Sequence, residues 1–323
     1  MHLVTRVVLA GLTVSLAAST LIRPRRRPKP RVTAPALDED AFVAGDGCRL
    51  PVARWLPERP PRAVMLALHG YGDCRHAFNL AGPWLAKRGL ALFAYDQRGF
   101  GETVSRGEWP GTETLILDLG DAITALRESY PGRPLVVIGE SMGGSIALAG
   151  LGQAELEGAD ALILAAPGVR GNIPMRQLHD LALRLGALAL PWLAIELRRG
   201  AKPWLDPTEA ERLAGDPLIL RRLSVGTYEG LVELATLASA VPKAKLPPTL
   251  LLHGALDATI PRAAIDELIA RLAGSLSLRL YPDRHHLLLH ARDAAAVLDD
   301  CLDWLQETLP LEQSRPKRRR KPA

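Results

Sequence analysis

From about residue 40 to 310 the chain alternates two patterns. Short unbroken apolar runs occur at 63–70 (AVMLALHG), 90–99 (LALFAYDQRG), 134–139 (PLVVIG), 159–167 (ADALILAAP), 249–257 (TLLLHGALD) and 277–282 (SLRLYP). Each is short and closes at Gly, Asp or Pro, which predicts strands buried on both faces. Between them, apolar residues recur every three or four positions over 77–88, 113–129, 262–273 and 292–309, which predicts helices. Residues 40–57 read as a hairpin turning at Gly45-Asp46-Gly47. Strand alternating with helix is the signature of an α/β fold, a mostly parallel twisted sheet with helices on both faces.

One interval breaks the rhythm. Residues 168–245 hold LHDLALRLGALALPWLAIELRRG (178–200), apolar on more than one side, then two helix-compatible stretches, EAERLAG and YEGLVELATLASAV. This predicts a helical cap inserted after the strand ending at Pro167, apolar enough to line a small-molecule pocket. The alternative is an ordinary core helix packed on the sheet.

Composition adds the ends and the charge. Residues 3–22 form an apolar stretch with Arg6 as its one charge, long enough to span a bilayer. The small residues Ser15 to Ser19 also suit signal cleavage. The stretch runs past that site, and six basic residues follow within 23–31, which favours an anchor with the body on the cytoplasmic side; a cleaved signal would instead export it. Residues 23–37 read as an extended Pro/Arg-rich linker. A second run of six basic residues at 315–321 falls in a basic tail, 311–323. Without those twelve charges the chain has 28 basic against 35 acidic residues, net −7. The overall +5 thus describes two solvated arms suited to anionic headgroups. Nucleic-acid binding is not expected, since no recognition helix or aromatic-interleaved basic pattern accompanies them. Cys48, Cys74 and Cys301 lie far apart and show neither disulfide nor metal spacing, so no metal or cofactor is expected.

The chemistry gathers around 134–151, PLVVIGESMGGSIALAGL. G-x-S-x-G between a strand and a helix is the setting of a nucleophile elbow, with Gly139 and Gly143 relieving crowding around Ser141. A serine hydroxyl needs a base, and the base needs an orienting acid. In such a sheet they follow in the order acid, then histidine. Asp257 ends a strand; its bland reading is a cap before Pro261. His285 and His286 follow the last short strand, and only one can be the base. The oxyanion formed on attack requires two backbone donors, expected at Met142 and at Tyr71 within the HGYGD loop (69–73). His69 is expected to brace that loop, and Asp96 and Arg98 to pair within DQRGFGET.

HGYGD, DQRGFGET, GESMGG, HGALD and YPDRHHLLL, in this order and spacing, resemble the α/β-hydrolase superfamily, and within it the monoacylglycerol lipase and lysophospholipase branch with its serine aminopeptidase-like members. The resemblance covers about 40–310. It implies a catalytic triad of Ser141, Asp257 and His286, with His286 rather than His285 as base, and oxyanion donors at Tyr71 and Met142. It implies a helical cap at 168–245, with Asp216-Pro217-Leu218 a recurrent element of it. The expected activity is hydrolysis of a small-molecule acyl ester of lipid origin without a cofactor. Amide cleavage or acyl transfer on the same triad, and a non-catalytic membrane-tethered lipid-binding module, are the alternatives.

Overall fold

The computed structural model describes residues 28–152, 157–171, 176–197, 202–242, 246–272, 274 and 276–311. The apolar stretch at 3–22 lies outside them, as do residues 23–27 of the basic linker and all of the tail after Leu311. Among the described residues no helix is long and apolar enough to cross a membrane.

Among the described residues, nine strands form one sheet: β1 (Ala36–Leu37), β2 (Ala41–Val43), β3 (Arg49–Trp55), β4 (Ala63–Leu68), β5 (Leu90–Tyr95), β6 (Leu135–Glu140), β7 (Ala161–Ala165), β10 (Thr249–Gly254) and β11 (Leu276–Tyr281). Their order is β1-β2-β3-β5-β4-β6-β7-β10-β11. The first three strands run antiparallel to their neighbours; from β5 onward every pairing is parallel. Strands β4 to β7 and β10 are buried along their whole length, which is why their sequences are unbroken apolar runs rather than alternating ones.

The two-residue period of a strand sorts these side chains onto opposite faces. Val64, Leu66, Leu68, Val137, Leu162 and Leu164 join one core, and Met65, Ala67, Val136, Ile138 and Ile163 the other. The first core is closed by α2 (Thr112–Ser129), α3 (Met142–Gly152) and α7 (Arg262–Leu272), the second by α1 (Ala81–Lys87) and α8 (Ala294–Thr308).

The interval between β7 and β10 is the expected insertion, with more than helices in it. It contains α4 (Arg176–Ala189), α5 (Pro207–Gly215), α6 (Val225–Ser239) and an antiparallel ribbon of β8 (Ala194–Glu196) with β9 (Arg222–Ser224). The apolar run at 178–200 divides at Pro191. Proline has no N–H and pushes the residue before it out of helical backbone, so α4 ends and the chain continues extended into β8. Asp206 caps α5 by accepting from the Thr208 amide, with Pro207 opening the helix.

The expected Asp96–Arg98 pair does not form. Asp96 accepts from the Arg75 and Glu102 amides and pairs with the Arg75 guanidinium. Arg98 reaches the other way, to Asp118 on α2 at 2.6 and 3.0 Å and to Asp46 in the hairpin turn at 2.7 and 3.0 Å. Adjacent turn residues point apart, so each carboxylate and guanidinium finds a partner distant in sequence. Gly101 adopts φ 56°, and a Cβ there would sit 2.1 Å from the Asp96 carboxyl carbon.

An equally tight approach, against backbone, lies where α3 leaves β6. A Cβ on Gly143 would stand 2.1 Å from the Leu68 carbonyl oxygen. That neighbour is backbone of a central strand and cannot turn away. Gly143→Ala is therefore expected to destabilise the protein by about 1–3 kcal/mol, the usual range for overpacking, read as a lowered midpoint in urea unfolding.

Candidate active site

Ser141 stands between the end of β6 and the start of α3 with φ 53°, a left-handed backbone that non-glycine residues rarely adopt. Its neighbours hold it there. Its amide donates to the Ala165 carbonyl at 3.0 Å, and its carbonyl accepts from Gly168 at 2.9 Å and Ser145 at 3.1 Å. A Cβ on Gly139 would lie 2.6 Å from the Gly143 backbone, so both glycines of the motif are sterically required.

The serine's partners arrive from two other segments. His286 Nε2 lies 2.9 Å from Ser141 Oγ, and His286 Nδ1 lies 2.8 Å from Asp257 Oδ2. A carboxylate only accepts hydrogen bonds, so Nδ1 carries the proton and the Nε2 lone pair faces the hydroxyl. The Asp257 side chain is fully buried. Burial alone would raise its pKa. The His286 hydrogen bond and charge, with the Ile260 and Thr259 amides at 3.1 and 2.7 Å from Oδ1, outweigh burial and hold it below the usual value. One Asp257 oxygen thus fixes the turn at 257–260, ahead of the helix that begins at Arg262 and so not as its cap, and the other holds the histidine. His285 faces away and stacks on Trp204, ring centroids 4.6 Å apart and 18° between planes.

The HGYGD loop sits against the serine: a Cβ on Gly70 would be 3.4 Å from Ser141 Cβ. The Asp73 amide donates to the Gly70 carbonyl at 3.2 Å, with Tyr71 and Gly72 between them and Gly72 at φ 72°. Positive φ at the third position of such a turn selects glycine. His69 braces the loop: Nε2 accepts from the Gln97 amide at 3.1 Å, so Nδ1 donates to the Gly70 carbonyl at 2.9 Å. Burial lowers the His69 pKa and favours this neutral form. Met142 is buried as the first residue of α3, where helical geometry leaves backbone N–H groups without intrahelical partners.

Behind the site runs a chain of charges that linear reading does not assemble. Glu140, one residue before Ser141, receives His290 Nε2 at 2.8 Å; the other ring nitrogen meets Glu209 of α5 at 2.7 Å. Glu209 also accepts from Arg212 at 2.9 Å, and Arg212 forms a two-pronged pair with Asp73 at 2.7 and 3.0 Å. Glu140, His290 and Glu209 are each about 1 % exposed. The charges alternate along a path joining the elbow, the histidine loop, the cap and the HGYGD loop. Nothing in the linear sequence brings Glu140, His290 and Glu209 together.

Burial works against a charged His290, but the Glu140 charge, followed by the hydrogen bonds to Glu140 and Glu209, pushes its pKa up to about 10. A pKa raised above the ordinary 6.5 means the stabilisation is full below about pH 6.5 and is lost as pH rises through about 10. His290→Ala, leaving the buried Glu140 carboxylate without its charge partner, is expected to lower stability by about 3–5 kcal/mol. Urea melts between pH 7 and 10.5 should show the wild type losing stability toward the alkaline end and the variant changing less.

The family described as serine aminopeptidase S33 (Hydrolase_4) matches residues 59–293. The monoacylglycerol lipase of Mycolicibacterium smegmatis is 27% identical over 277 residues, 83% of this chain and 96% of that protein. The monoglyceride lipase of Homo sapiens is 29% identical over 275 residues, 82% of this chain and 88% of that one. Among solved structures, a soluble variant of the Saccharomyces cerevisiae monoglyceride lipase in complex with a substrate analog superposes with a TM-score of 0.68 at 21% identity, covering 87% of this chain and 98% of that one. The Paleococcus ferrophilus monoacylglycerol lipase gives 0.67 at 17%, covering 80% and 99%. At these identities the structures speak for the fold alone. A match over most of the sheet, the elbow, the cap and the histidine loop leaves one assignment: the chain belongs to the serine aminopeptidase S33 family of α/β-hydrolases and is an ester hydrolase.

Proposed function

We propose that this chain cleaves carboxylic esters of lipid origin, of the monoacylglycerol or lysophospholipid class, through an acyl-serine intermediate. The observation that carries the reading is the unbroken hydrogen-bonded series from Ser141 through His286 to Asp257. In this mechanism His286 Nε2 takes the hydroxyl proton as Ser141 Oγ attacks the ester carbonyl, and Asp257 stabilises the imidazolium that forms. The amides of Tyr71 and Met142 receive the oxyanion. His286 then passes the proton to the leaving alcohol, and water repeats the cycle on the acyl group.

Two features support a lipid substrate beside the names of the relatives. Leu178, Leu181 and Leu185 on α4, with Trp192 and Ile195 beyond it, are exposed on the cap. Such a patch is unusual on a monomeric soluble surface and suits a lipid interface. The apolar stretch at 3–22 and the flanking basic runs would hold the domain at an anionic membrane on the cytoplasmic side.

Ser141→Ala should lower turnover of a p-nitrophenyl ester by at least about 10⁴-fold and abolish fluorophosphonate labelling; full activity in that variant would end the proposal. His286→Ala should behave alike, while His285→Ala should retain turnover. Across a panel of graded acyl esters and aminoacyl amides, esters are expected to dominate; the reverse preference would make the chain an aminopeptidase. Deleting 1–22 should release the protein from the membrane pellet.

A further inference from the structure

Neither Cys74 and His76, two residues apart, nor Asp216, far along the chain, resembles a metal motif in linear sequence. The fold brings them together. His76 Nδ1 lies 3.0 Å from Asp216 Oδ2, the Cys74 sulfur lies 3.9 Å from the same oxygen, and one donor atom from each of the three falls within 4.8 Å of the others. We propose that Cys74, His76 and Asp216 form a binding site for a zinc-class divalent cation that ties the cap to the loop following β4. The site is independent of the ester chemistry proposed above.

Three arguments support it. The first is distance. A tetrahedral ion bonded at about 2.3 Å to sulfur and about 2.0–2.2 Å to nitrogen and oxygen holds its ligands about 3.3–3.8 Å apart. The observed 3.0 and 3.9 Å to the Asp216 oxygen bracket that span, and the sulfur and imidazole nitrogen, within 4.8 Å of each other, would be drawn in by the ion. The second is donor type. One thiol, one imidazole and one carboxylate match borderline ions such as zinc and oppose calcium or magnesium, which take oxygen. A thiolate and a carboxylate together also balance a divalent charge.

The third is preparation. The second carboxylate oxygen of Asp216 accepts from the Leu218 amide at 2.8 Å, which fixes Oδ2 toward the other two donors. Cys74 is held by its own amide donating to Asp73 at 2.8 Å and by its carbonyl accepting from Ala77 at 3.0 Å. Second partners of this kind orient ligands in metal sites. The Cys74 side chain is buried, whereas His76 is one-third exposed and leaves a route for the ion and for a water as fourth ligand.

The position gives the site consequence. Asp216 ends α5, and the Leu220 amide, four residues on, donates to the Gly72 carbonyl at 2.8 Å. Cys74 and His76 directly follow the turn that carries Tyr71. An ion here would cross-link the cap to the loop proposed to hold the oxyanion, and should stiffen that junction.

The test uses the full-length chain, metal-stripped and kept reduced with a phosphine, titrated with Co²⁺ as a coloured probe and back-titrated with Zn²⁺. The expected result is a sulfur-to-cobalt charge-transfer band that saturates at one equivalent and is bleached by Zn²⁺. Cys74→Ser should remove the band while Cys48→Ser keeps it. Asp216→Asn, which preserves shape, should weaken Co²⁺ binding at least about 10-fold, so the geometry is tested even if the Cys74 variant folds poorly. Absence of the band at millimolar Co²⁺, its persistence in Cys74→Ser, or unchanged affinity in Asp216→Asn would overturn the site.

Discussion

The backbone of one residue sets the terms for the rest of the molecule. Ser141 is held at φ 53°, and such a conformation persists only where its surroundings over-determine it. Here the surroundings are a central strand on each side, Ala165 accepting its amide hydrogen, and glycines where α3 presses on β4 and β6. The strain raises the hydroxyl clear of the sheet, at the carboxyl edge where the loops after β4, β10 and β11 converge. Every other element of the site is arranged to meet it.

The cap is secured to that edge by apolar packing, with Leu234 and Ala238 of α6 buried in the first core, and by polar contacts. The series Asp73–Arg212–Glu209–His290–Glu140 passes from one loop through α5 to the residue preceding the serine. Unpaired, any of these groups would be costly to bury; paired in alternation they fix one docking geometry. The Tyr71 hydroxyl donating to the Arg222 carbonyl at 3.0 Å and the Asp206 amide donating to the His290 carbonyl at 2.9 Å fasten the same junction. Leu178, Leu181 and Leu185 of α4 are left exposed, while Ala187 turns inward.

Much of the architecture was legible in local pattern. The runs at 63–70, 134–139 and 159–167 became β4, β6 and β7 because burial on both faces demands apolar residues at every position. The helices over 113–129 and 262–273 became α2 and α7 because one face of each meets the sheet. The exceptions lay where tertiary partners outweigh local signals. Asp96 and Arg98 read as a neighbouring pair, yet each turned to a partner on another element. The cap read as helix throughout, yet Pro191 freed a segment that a strand from 222–224 could pair. The role of His290 was not legible, because nothing in a linear chain shows two carboxylates approaching from residues 140 and 209.

By itself the sequence determined the sheet, the strained turn that must contain Ser141, and the order in which an acid and a histidine would follow. These depend on residue type, spacing and the few backbone shapes open to each, all of which are local. How His285 comes to stack on Trp204, how one Asp257 oxygen serves a turn while the other serves a ring, and how Cys74, His76 and Asp216 come to share a corner were decided only by the tertiary structure. Those outcomes depend on distances between segments far apart along the chain, and such distances exist only once the two cores have closed on the sheet.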